Sequence, residues 1–216
     1  MSKYKLVEGL YIYPTPTGAY YAVSSTEDDK PRRFLKHLLQ QRQTPSLTLE
    51  NLLMLQKDSE GDSGDEETVF ELLHHCQKLG WVQGLDAVKE FPQGALEDIL
   101  PDFLKKISVG GKVLLADDQG FYLALSGFVH EVAEELSALG AEISTLHMRR
   151  SGLLMSNMGL GSHAWAVVNA AGKSQVGFWP VFIGKNRFVI TVSGTPHFNQ
   201  PEFVSLVWAL SIRYSA

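Results

Sequence analysis

The chain has 216 residues, 44% hydrophobic, 20% charged and 10% aromatic, so it carries enough apolar surface to build cores and wholesale disorder is excluded. Nineteen Lys and Arg against 24 Asp and Glu leave a net charge of -5, the wrong sign for gripping phosphate backbones, which makes nucleic acid an unfavoured partner. One cysteine, Cys76, excludes an internal disulfide and a four-cysteine zinc site; without a signal-like start or a run of ~20 apolar residues, a cytoplasmic protein with no membrane span is expected.

In chain order, Tyr11-Ile12-Tyr13 and Ala19 to Val23 read as two strands joined by turn residues Pro14 to Gly18, a hairpin within Leu6 to Ser25. Asp28 or Asp29 then caps a helix carrying Phe34, Leu35, Leu38 and Leu39, and Thr48 caps a second with Leu49, Leu52, Leu53 and Leu55. Six acids between Asp58 and Glu67, interleaved with Ser and Gly, read as a solvated tether. A third helix runs through Val69, Phe70, Leu72, Leu73, Cys76 and Leu79 to Gly80, and Trp81-Val82 start a short strand. Pro92 and Gly94 mark a change of pattern, which divides the chain into modules 1–92 and 93–216.

Beyond that boundary Leu96 to Ile107 spell an amphipathic helix that must tolerate Pro101. Lys112 to Ala116 and Phe121 to Leu125 form a hairpin around Asp117 to Gly120, with Gly120 at positive φ. The next helix is the most regular: Val132, Leu136, Leu139, Ile143 and Leu146 are spaced 4, 3, 4 and 3 in a narrow apolar seam. Gly140 within it costs ~1 kcal/mol relative to Ala unless something packs close there. After a glycine-rich bend from Gly152 to Ser162, the segments Ala164–Asn169, Gln175–Ile183 and Arg187–Val192 read as an antiparallel meander, with Pro180 indicating a bulge or an edge. A helix through Phe203, Leu206, Val207, Leu210 and Tyr214 closes the chain. The fold class is α+β: a hairpin with a winged-helix-like three-helix module, then α-β-β-α-β-β-β-α around an antiparallel sheet.

No catalytic constellation emerges. Gly172-Lys173-Ser174 lacks the earlier glycine of a phosphate loop, since Val occupies position 167. Gly159-Leu160-Gly161 lacks the third glycine and the preceding strand of a dinucleotide site. His74, His75 and Cys76 are helix neighbours about 100° apart, so they do not converge on one metal. No catalytic residue, metal or cofactor is therefore assigned. Arg32, Arg33, Lys36 and Arg42 form a basic patch on or near the first helix, read either as a solvated face or as a ligand contact. Arg149 and Arg150 close the long helix, where they complement its dipole or face an acidic partner.

The hairpin Leu114 to Gly127, Leu-Leu-Ala-Asp-Asp-Gln-Gly-Phe-Tyr-Leu-Ala-Leu-Ser-Gly, leading into an acidic, alanine-containing helix, resembles the roadblock/dynein light chain family, whose fold is profilin-like. The resemblance covers about 120 residues and implies a non-enzymatic protein, dimerised through its long helix and a neighbouring strand, that serves as a platform for or regulator of a small Ras-like GTPase. It assigns the dimer interface to Val132, Leu136, Leu139, Ile143 and Leu146, with Arg149, Arg150, Arg32, Arg33 and Lys36 left as partner-binding residues. A second copy, another roadblock-like protein or a small GTPase are the expected partners. The Tyr-rich start and the Leu79-Gly80-Trp81-Val82 end of the first module resemble winged-helix domains, including peptide-binding ones, which leaves a DNA- or peptide-binding regulator as the alternative.

Overall fold

The computed structural model describes residues 4–57 and 65–215, so the centre of the acidic tether, 58–64, lies outside the described residues. The expected N-terminal hairpin is not formed. Tyr11–Pro14 is a strand (β1), but Pro16–Val23 is a helix (α1). The residues read as a turn are a helix start: the Thr15 hydroxyl accepts from the Gly18 N–H at 3.1 Å, and Pro16 occupies the first turn, where its missing N–H costs nothing. Tertiary contact decides between the two readings. A Cβ on Gly18 would lie 2.0 Å from the Trp81 carbonyl oxygen, so only glycine lets α1 press against that backbone, and Ala19, Ala22 and Val23 are buried.

The partner of β1 comes from far along the chain. Val82–Leu85 (β2) pairs with it antiparallel, Tyr11 opposite Leu85 and Pro14 opposite Val82. Between them lie α2 (Lys30–Leu39), α3 (Leu49–Gln56) and α4 (Glu66–Lys78), capped by the side chains of Asp29, Thr48 and Asp65. Asp65, Glu66 and Glu67 are thus the cap and first turn of α4, where carboxylates complement the helix dipole, and not tether.

The second half follows the expected order: α5 (Leu96–Lys106), β3 (Val113–Ala116), β4 (Tyr122–Ser126), α6 (His130–Gly152), β5 (Trp165–Val168), β6 (Ser174–Ile183), β7 (Asn186–Ser193) and α7 (Pro201–Tyr214). The five strands form one antiparallel sheet in the order β4-β3-β7-β6-β5. Side chains alternate across it. Val113 and Leu115 join the main core, whereas Leu114 and Ala116 pack with Ala133 of α6 on the opposite face. Pro180 sits mid-strand, but β5 reaches only as far as Phe178, so β6 has a single partner strand there. The register shift lies instead on β5, between Val167 and Val168.

The long helix does not end in a bend at Gly152; it continues as a π-helical turn, Leu153–Asn157, and the chain reverses at Gly159 with φ +65°. The two halves share one apolar cluster built around α7. The Tyr13 ring lies 5.8 Å from Trp208, Tyr20 lies 6.1 Å from Phe203, and the Trp208 indole donates to the Gln41 carbonyl at 2.8 Å.

Candidate interaction surface

Helix α6 is laid on the sheet by small residues. Ala133, Ser137, Gly140, Ala141 and Ser144 are buried, and a Cβ on Gly140 would stand 3.2 Å from both Phe178 and Val189. The glycine inside the seam therefore has a packing reason: it lets α6 approach β6 and β7. The large apolar residues point elsewhere. Val132 and Leu139 are each 40% exposed and Leu146 45%, while Leu136 and Ile143 are half-buried at the margin. Leu136 packs against Leu114, Ala116 and Ala133, so the open flank of α6 is carried by Val132, Leu139 and Leu146, with Ile143 at its margin.

The C-terminal part of α6 also reaches an open sheet edge through His147. All four β5 residues are exposed, including Trp165, Val167 and Val168, and β5 ends the strand order. The Trp165 indole donates to His147 Nδ1 at 2.9 Å, tying β5 to the C-terminal end of α6. His163 stands beside this pair, its ring centroid 4.8 Å from that of His147 and 5.5 Å from that of Phe182. Burial pushes His147 below the ordinary imidazole range and the facing His163 adds to it; burial does the same to His163, with Arg32 adding and Glu27 opposing. Both rings are held neutral, which leaves His147 Nδ1 free to accept from the indole.

The basic residues do not form one surface. Arg32 is 3% exposed, donating to the Tyr21 carbonyl and to Asp29 at 3.3 Å, with its guanidinium 4.3 Å from the Tyr21 ring centroid. It is neither a solvated charge nor available to a partner, because burial of an arginine requires this set of acceptors. Burial alone would raise the Asp29 carboxyl, but hydrogen bonds from the Arg32 backbone and the Tyr21 hydroxyl, with the Arg32 charge, hold it below the ordinary carboxylate range. Arg33 pairs with Asp28 at 3.4 Å, Lys36 is half-buried, and Arg149 and Arg150 are exposed at the end of α6.

Cys76 is fully buried and its thiol is pushed up to about 12, first by burial and then by Asp29. His74 lies against Tyr4 and His75 meets Trp81 edge-on, so the three adjacent residues have separate surroundings. Among the described residues no group of three or more His, Cys, Asp or Glu is arranged to hold a metal ion, and no helix is long and apolar enough to cross a membrane. The first half also contains an apolar cavity of ≈ 270 Å³ between β2 and α4, lined by Leu10, Ile12, Phe70, Leu73, His74 and Val82 among others.

Neither protein-family models nor curated protein sequences match the chain. Among solved structures, a Roadblock/LC7 domain from Streptomyces avermitilis is similar to it with 11% identity and a TM-score of 0.35, over 56% of this chain and 93% of that one.

Proposed function

We propose that this protein is a non-catalytic adaptor or regulator that forms a homodimer through the outer flank of α6 and the free edge of β5. One observation carries the reading: α6 buries its small residues and leaves Val132, Leu139 and Leu146 open, and the edge strand tied to its C-terminal part exposes Trp165, Val167 and Val168. Exposed apolar patches and unpaired edges are liabilities that a partner removes. A second copy suits both, since a two-fold axis sets a helix flank against itself and continues a sheet across its edge.

The finer reading, a platform for a small Ras-like GTPase in the cytoplasm, rests on the Leu114 to Gly127 hairpin and on Arg149 and Arg150, which are free for an acidic partner at the end of α6. Sedimentation equilibrium tests the dimer: the wild type sediments as a dimer at micromolar concentration, and a monomer there removes the reading. Affinity capture with nucleotide-loaded extracts tests the GTPase: nucleotide-dependent recovery of a small GTPase supports it, and a partner set without one discards it.

The alternative of peptide binding by the first module has its own observation, the apolar cavity beside β2. An extended peptide would place alternate side chains there while pairing with the strand backbone.

A further inference from the structure

A second concavity, ≈ 280 Å³, lies where the two halves of the chain meet. Its wall takes Lys36 from α2, Lys185 and Arg187 from the β6–β7 hairpin and Asp118 from the β3–β4 turn, over Phe182 and Met148. Three cations thus face one carboxylate in a chain whose net charge is -5. The acids near Lys36 are already committed: Asp29 is held by Arg32 and Tyr21, and Asp28 by Arg33. Among the described residues none of the three cations makes an ion pair, with Asp118 or any other acid.

The hairpin that carries two of the cations is held in place. Gly184 opens the two-residue β6–β7 connection at φ +57°, where a Cβ would lie 2.3 Å from the Tyr214 carbonyl oxygen, so the hairpin tip that carries Lys185 is pinned against the end of α7. Arg187 donates from Nη2 to the Thr145 hydroxyl at 3.0 Å, while its Nε is buried and without an acceptor. Burial lowers Lys36 from the ordinary lysine range, and the nearby Arg32 lowers it further against Asp28 and Asp29. An anion beside it would relieve both effects.

We infer that this concavity is a binding site for the phosphoryl group of a small anionic molecule, with Lys36, Lys185 and Arg187 as its ligands. The excess of two positive charges matches a phosphoryl dianion, whose several acceptor oxygens suit a guanidinium and two ammonium groups. The volume leaves room for an organic portion over Phe182 and Met148. Because its ligands come from both halves, occupancy fastens the first module to the second and stabilises the folded chain.

Calorimetric titration of the full chain with inorganic phosphate, pyrophosphate and citrate, at constant physiological ionic strength, tests this. Saturable binding of pyrophosphate at one site is expected, tighter than citrate, with Lys185→Gln and Lys36→Gln each weakening it about tenfold. Lys173→Gln, on the exposed β5–β6 turn, leaves it unchanged. Lys185 is exposed on a hairpin tip, so its substitution keeps the fold, which circular dichroism checks. Absence of saturable binding at millimolar phosphate and pyrophosphate, or equal affinity in Lys185→Gln and wild type, overturns the site. Tighter binding of citrate than of pyrophosphate overturns the phosphoryl assignment.

Discussion

Helices α6 and α7 belong to the same half of the chain and lie on opposite faces of one sheet, yet they spend their apolar residues in opposite ways. Phe203, Val204, Leu206 and Leu210 of α7 have no exposed surface and Trp208 has 2%, because α1, α2 and α5 surround the side that the sheet does not cover. Helix α6 touches the sheet through Ala133, Ser137, Gly140 and Ser144 and turns Val132, Leu139 and Leu146 outward. A helix apolar all round is a core element; one with small residues inside and large apolar residues outside has a second surface to satisfy. The contrast separates what holds the fold from what is available to a partner.

Substitutions should divide along that line. Phe203→Ala opens a cavity at the junction of the halves and is expected to cost about 3–5 kcal/mol by urea or thermal unfolding. A loss under 1 kcal/mol would mean that α7 is not the central element. Gly140→Leu forces a side chain into the gap occupied by Phe178 and Val189 and should cost about 1–3 kcal/mol, lifting α6 from the sheet without destroying the α7 core. Leu139→Asp, on the other flank of the same helix, should change monomer stability by no more than about 0.5 kcal/mol. It should weaken self-association, because pairing would bury an uncompensated charge.

The smallest effect is a titration. With the His147 and His163 values lowered in the folded chain, the unfolded chain binds more protons as pH falls through about 6.5, so stability contributed by the neutral rings is full above that pH and declines below it. Protonation of His147 at Nδ1 also removes the acceptor of the Trp165 indole. Acidification should therefore loosen β5 before the core, seen as faster hydrogen exchange at 165–168, and His147→Leu should lose most of that pH dependence. Uniform exchange across all strands would contradict it.

The second half was legible in the sequence because its signals were local: the Asp117 to Gly120 turn, the seam at spacings of 4 and 3, and the strands separated by Ala171-Gly172-Lys173 and Gly184-Lys185-Asn186 all give elements where expected. The first hairpin was not, since Thr15-Pro16-Thr17-Gly18 serves equally as a turn or a helix start, and the choice is made by the Trp81 carbonyl more than sixty residues away. Arg32 looked like surface charge for the same reason: its burial depends on Tyr21, and the spacing of Arg32, Arg33 and Lys36 does not reveal it. For the candidate site, periodicity identified the seam residues, but which flank of α6 the sheet would cover was decided by Gly140 against Phe178 and Val189. The His147, His163 and Trp165 cluster and the convergence of Lys36 with Lys185 and Arg187 join distant positions, for which the sequence has no periodic signal.

The most direct test of the outward seam is a cysteine at its centre. Leu139→Cys places an accessible thiol at the middle of the stripe, while the native Cys76, fully buried and with its thiol pushed up to about 12, stays silent. If α6 pairs with its copy about a two-fold axis at the centre of the stripe, the position 139 residues come together within disulfide reach, about 7 Å or less between Cα atoms. Mild oxidation then gives a covalent dimer in high yield. The same thiol on α5, Glu97→Cys, stays monomeric. Yields at position 139 no higher than at position 97 would contradict the pairing of α6 about the centre of its stripe and leave its apolar flank to a different partner.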